Sequence, residues 1–91
     1  MSELRAVRLV VHGKVQGVNF RSSVEEAATA AGASGWVRNR DDGTVEVHAE
    51  GSPDAVDAVE EFAGHGPGAA EVERVERRDV DAQGLDGFET G

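Results

Sequence analysis

Over residues 4–12 the chain alternates with a period of two: Val7, Leu9 and Val11 interleave with Arg8, Val10 and His12. This predicts a strand, since successive side chains of an extended backbone point to opposite faces of a sheet. Gly13 is expected to end it, leaving Gly13 to Phe20 as a loop. Over residues 22–32 the period becomes helical, with Val24, Ala27, Ala28 and Ala31 on one stripe. Ser22 with Glu25, or Ser23 with Glu26, fits a capping box, and Gly32 is a stop. A second strand is expected over 35–40, a hairpin at Asp41-Asp42-Gly43 and a third strand over 44–50. There Val45, Val47 and Ala49 alternate with Glu46, His48 and Glu50. Ser52-Pro53-Asp54 opens a second helix, with serine as cap and proline at the first position. Its stripe is Ala55, Val59, Phe62 and Ala63, and Gly64 ends it. A loop over Gly64-His65-Gly66-Pro67-Gly68 leads to a fourth strand within 71–81. Val72 and Val75 are three apart there, so a bulge or a late start is expected. Phe88 anchors a short final strand.

The order strand, helix, strand, strand, helix, strand predicts an α+β fold. It is the ferredoxin-like split βαβ sandwich, βαββαβ, an antiparallel sheet with two helices on one face. Each helix joins two strands able to run parallel, and the middle pair is a hairpin. The length of 91 residues implies one domain over 1–91.

Composition narrows the function. Eighteen acids against nine bases give a formal net charge of −9. That argues against nucleic acid, whose phosphates seek basic faces, and against an anionic membrane surface. No apolar run reaches transmembrane length, and Met1-Ser2-Glu3-Leu4-Arg5 lacks an export signal's apolar stretch. The expected location is therefore cytoplasmic. The absence of cysteine removes disulfides and thiolate metal sites. Lys14 is the one lysine among the nine bases. An acidic, lysine-poor surface fits a halophilic host, because at 1 M salt screening acts over about 3 Å and removes self-repulsion. An ordinary acidic protein fits the same composition.

Two segments could carry chemistry. The first is His12-Gly13-Lys14-Val15-Gln16-Gly17-Val18-Asn19-Phe20-Arg21. Its glycines permit close backbone approach, and it ends at a helix N-terminus, where free N–H groups and the helix dipole favour an anion. Arg21 adds a planar fork suited to phosphate oxygens. By itself the segment also fits a tight turn with a surface arginine. It is not a Walker A loop, because Val15 follows Lys14 where Ser or Thr is needed. In the second segment, Gly35 to Glu46, Asn39 ends a strand entering a hairpin. Its amide could hold a water or simply cap the turn. No two of His12, His48 and His65 have the spacing of a helical metal site; His48 is expected to face outward. Val37 is expected in the core and Trp36 on the opposite face.

Together these segments resemble the acylphosphatase family. Its signature reads Gly-x-Val-Gln-Gly-Val-x-Phe-Arg, then Gly-Trp-Val-Arg-Asn-x-x-Asp-Gly-x-Val-Glu. Here they run Gly13 to Arg21 and Gly35 to Glu46. Glu50-Gly51 and Gly66-Pro67 extend the likeness. The resemblance implies hydrolysis of a small-molecule acyl phosphate to a carboxylate and phosphate, by a monomer using no metal or other cofactor. It implies that Arg21 binds the phosphoryl oxygens, that backbone N–H groups of Gln16, Gly17, Val18, Asn19 and Phe20 complete an anion cradle, and that Asn39 orients the attacking water. Asn19 departs from the aromatic or small residue of many relatives, at a place where the backbone does the work. Arg38, Arg40 and Lys14 add local positive field, or are solvated strand charges.

Two other readings compete. One is a non-catalytic anion-binding or regulatory module of the same fold. The other is an RNA-recognition module with the same element order, which would want central aromatics and a basic face. The third strand offers neither.

Overall fold

The computed structural model describes residues 4–91; Met1 to Glu3, part of the segment read as lacking an export signal, lie outside the described residues. Strand β1 spans Arg5–Lys14, helix α1 Phe20–Ala31, β2 Ser34–Asn39, β3 Val45–Gly51, α2 Pro53–Ala63, β4 Glu71–Asp79 and β5 Phe88–Thr90. Val7, Leu9 and Val11 of β1, Val37 of β2, and Val45, Val47 and Ala49 of β3 are all fully buried under the helices. They meet Phe20, Val24 and Ala28 of α1 and Val56, Val59 and Ala63 of α2. Alternation on the strands and helical spacing on α1 and α2 thus converge on one core.

The strand order is β4-β1-β3-β2-β5. The first four strands pair antiparallel, with β1 and β2 flanking β3, which is the ferredoxin-like arrangement. Strand β5 adds a parallel pair to β2 (Gly35 beside Phe88, Val37 beside Thr90), so the complete sheet is mixed.

Two boundaries differ from expectation. Strand β1 runs through Gly13 to Lys14, where a bulge shifts its register against β4 from His12–Arg74 to Gly13–Val72. Gly13 makes this possible: at φ 129° a Cβ would lie 2.1 Å from the Glu71 carbonyl oxygen. The same bulge puts Val72 and Val75 on one face of β4, which explains their spacing. Helix α1 begins at Phe20, two residues early, and the expected capping box does not form. Ser23 lies inside the helix, and its hydroxyl donates to the Asn19 carbonyl at 2.8 Å. Helix α2 starts as expected, with Ser52 Oγ accepting from the Ala55 N–H and Pro53 at its first position.

The helix-free face of the sheet is polar yet covered. His48 lies there but is fully buried rather than outward-facing. The Trp36 ring stacks on it at 5.7 Å between centroids, and the guanidinium groups of Arg8 and Arg38 lie over the Trp36 ring. His48 Nε2 is 2.7 Å from Glu50 Oε2. Glu50 also accepts from the N–H groups of Gln83 and Leu85, fastening the segment between β4 and β5 across the sheet.

Candidate active site

At the end of β1 the chain must turn into α1 within five residues. Gly17 (φ 75°) and Asn19 (φ 63°) both enter the left-handed region, and Asn19 is the one described non-glycine residue that does. Asparagine tolerates that conformation better than most side chains. Phe20, buried at the first position of α1, fixes where the turn ends. The Gly66 loop packs so tightly on it that a Cβ at Gly66 would come within 2.6 Å of the Phe20 ring.

The two helix starts differ in a way that matters for chemistry. Helix α2 has a serine cap and Asp54 in its first turn; α1 has neither a side-chain cap nor an acidic residue in its first turn. The leading N–H groups of an α-helix have no acceptor within the helix. The first turn of α1 holds no acidic residue of its own to compete for the favourable anion position they create. Gly17 and Asn19, two residues apart and both left-handed, bend the chain sharply just before that helix start.

These groups border a cavity of about 180 Å³ lined by Val15, Gly17, Asn19, Phe20, Arg21, Ser22, Asn39 and Thr90. Arg21 and Asn39, 18 residues apart in sequence, therefore meet at one opening. Asn39 arrives there because it ends β2, in register with Val45. Thr90 arrives through β5, and the Gly91 N–H donates to the Val37 carbonyl at 2.7 Å. The Arg21 guanidinium donates to the Gly91 backbone oxygen.

Gln16 and Val18 do not line the cavity. Val18 packs against the core. The Gln16 side-chain amide turns away and donates to the carbonyls of Arg40 (2.8 Å) and Thr44 (2.9 Å). It thereby fastens the loop to the hairpin that carries Asn39. Sequence reasoning misses Val15, Ser22 and Thr90. Ser22 is legible in part, since α1 begins with adjacent serines, whereas Thr90 depends on the parallel docking of β5.

The flanking charges are largely engaged. Arg38 donates to Glu46 Oε1 through Nε and Nη2, at 3.0 and 2.9 Å, and Arg8 reaches Glu46 Oε2 at 3.3 Å. Burial alone would raise the Glu46 carboxyl, but the hydrogen bond and charge of Arg38, joined by Arg8, hold it below its ordinary value. Arg40 is only loosely paired, at 3.9 Å from Asp42. His12 Nε2 lies 3.1 Å from Glu76, away from the cavity. Among the described residues, no group of three or more His, Cys, Asp or Glu could hold a metal ion, and no helix is long and apolar enough to cross a membrane.

A ferredoxin-like sandwich whose first strand–helix turn brings an uncapped helix start, an arginine and an asparagine to one opening defines a small α+β domain with donor groups suited to an anion. The acylphosphatase family model matches residues 7–90. An acylphosphatase from Acidovorax sp. (strain JS42) is 53% identical over 81 residues, covering 89% of this chain and 84% of the relative. One from Thermococcus kodakarensis is 47% identical over 88 residues, covering 97% and 96%. The solved structure of an acylphosphatase from Coxiella burnetii superposes with a TM-score of 0.92 at 33% identity, covering 97% of this chain and 93% of that one. The chain belongs to the acylphosphatase family.

Proposed function

We propose that the cavity between the β1–α1 turn and Asn39 is where this enzyme hydrolyses acyl phosphates. The observation that carries this reading is the meeting of Arg21, the uncapped first turn of α1 and Asn39 around one opening of about 180 Å³. The phosphoryl group sits on the backbone N–H groups of the turn, and the Arg21 fork binds its equatorial oxygens. Asn39 accepts a hydrogen bond from a water and aims its oxygen at phosphorus, opposite the acyl oxygen. The water oxygen bonds to phosphorus as the bond from phosphorus to the acyl oxygen breaks. The electron pair leaves with the carboxylate, and the water's protons pass to the phosphate product and to solvent. A carboxylate is a good leaving group, so positioning and charge stabilisation suffice without a strong general acid. Rigid backbone donors and one guanidinium provide that stabilisation without reorganising.

Gln16 serves the site through its clamp on the hairpin, while its N–H and that of Val18 belong to the backbone of the turn. Thr90 closes the cavity beside Asn39.

Phosphate release from benzoyl phosphate tests the assignment. Arg21→Ala is expected to lower the rate by about 10²–10³, the usual cost of losing one transition-state donor, and Asn39→Ala by a similar order. Wild-type turnover in Arg21→Ala would overturn these roles. The non-catalytic module would be recognised by binding of inorganic phosphate without any turnover.

A further inference from the structure

The helix-free face of the sheet lies outside the catalytic cavity, yet it gathers positive charge on an acidic molecule. Of the nine Lys and Arg residues, Arg8, Lys14, Arg38, Arg40, Arg74 and Arg78 lie on or border this face, whereas of the eighteen acids the strand registers place Glu46, Glu50, Glu71, Glu76 and Glu89 on it. The three nearest its centre are already engaged: Glu46 by Arg38 and Arg8, Glu50 by His48 and two backbone N–H groups, and Glu76 by His12 and Arg74.

Within the face, Arg8 and Arg78 stand directly opposite each other in the β1–β4 register, an arrangement in which like charges repel. Arg40 borders the same depression, whose volume is about 330 Å³ and whose lining also includes Val10, Arg77 and the paired carboxylates Glu46 and Glu76. Arg78 meets no carboxylate among the described residues. The guanidinium groups of Arg8, Arg40 and Arg78 outnumber the two carboxylates, Glu46 and Glu76, around this concavity, and their planar forks match phosphate oxygens two at a time. We propose that this depression is a second anion site, separate from the catalytic cavity, for a compact oligophosphate carried by a nucleotide or free as inorganic polyphosphate. The size is at the small end for ligand clefts. A long polyanion would run beyond the arginines onto a surface dominated by the remaining carboxylates, so a short chain of phosphates fits and a nucleic acid does not.

Amide NMR titration of the full chain with tripolyphosphate at low ionic strength tests this, using wild type, Arg21→Ala and Arg78→Glu. Wild type is expected to respond both at residues 16–21 and at Arg8, Val10, Arg40 and Arg78. Arg21→Ala should lose the first set and keep the second, so failure of the catalytic assignment is seen separately. Arg78→Glu should weaken the second set about tenfold or more, with Arg78→Gln intermediate, and leave benzoyl phosphate hydrolysis unchanged. A parallel titration with ATP distinguishes the sources: equal affinity points to the phosphate chain alone, tighter binding to a nucleotide. Responses confined to residues 16–21, a sheet-face affinity indifferent to Arg78→Glu, or tighter binding of a poly-glutamate peptide than of tripolyphosphate would each overturn the proposal.

Discussion

At the scale of single residues, Gln16 joins the two halves of the site. The loop is the proposed seat of the phosphoryl group and the hairpin carries Asn39, and one side-chain amide ties both hairpin carbonyls to the loop. Gln16→Ala should cost about 1–2 kcal/mol in urea unfolding, as expected for two net hydrogen bonds partly open to water. It should also lower kcat more than it raises KM, because the cradle still binds phosphate while the water loses its aim; a change in KM alone would contradict this. The motif locates Gln16 in the site, but not the job of its side chain, because its acceptors lie 24 and 28 residues further on and become neighbours only in the fold. Residue type at a helix start and a strand end leaves Arg21 and Asn39 open between a site and a plain turn; the family motif makes them candidates, and the fold brings them to one cavity. His48 departs from expectation for a related reason. Alternation places it correctly on the helix-free face, but only the tertiary cover of Trp36 and Arg8 buries it.

At the scale of elements, periodicity serves wherever a side chain's neighbours come from its own strand or helix. The Val72–Val75 spacing signals the bulge, but periodicity fails where two elements adjust to each other, as where β1 outruns Gly13 and at the parallel docking of β5 on β2. Strand β5 matters because it brings Thr90 to the cavity, and the segment leading to it is held by Glu50. Burial by itself would raise the Glu50 carboxyl, but the Gln83 N–H, His48 and the Leu85 N–H hold it below the ordinary value of 4.5. A depressed carboxyl lends stability that is present above its unfolded value and is lost as pH falls through the folded one. Melting temperature should therefore drop as pH falls below about 4.5, and Glu50→Gln should flatten that slope while lowering stability at neutral pH. A variant that melts with the wild-type pH dependence would show that Glu50 contributes nothing to the fastening.

At the scale of the whole molecule, charge is sorted by face. Glu25, Glu26, Asp54, Asp57, Glu60 and Glu61 crowd the two helices, while the arginines of the open face stand on the other side of the sheet. A net charge of −9 on 91 residues opposes compaction by self-repulsion. Added KCl shortens the screening length to about 3 Å at 1 M and removes most of that repulsion. Melting followed against KCl should rise by several degrees between low and molar salt, since about 1 kcal/mol moves a domain of this size by about 4–8 °C. A flat response would count against adaptation to a salty medium.

The two borders of the sheet carry one more consequence. One is the three-residue β5; the other is β4, in which Val72 and Val75 are the only uncharged residues among nine. Neither offers a stranger's backbone a long, flat, greasy rail on which to extend, so crowding many copies together should leave them dispersed rather than stitched into fibrils.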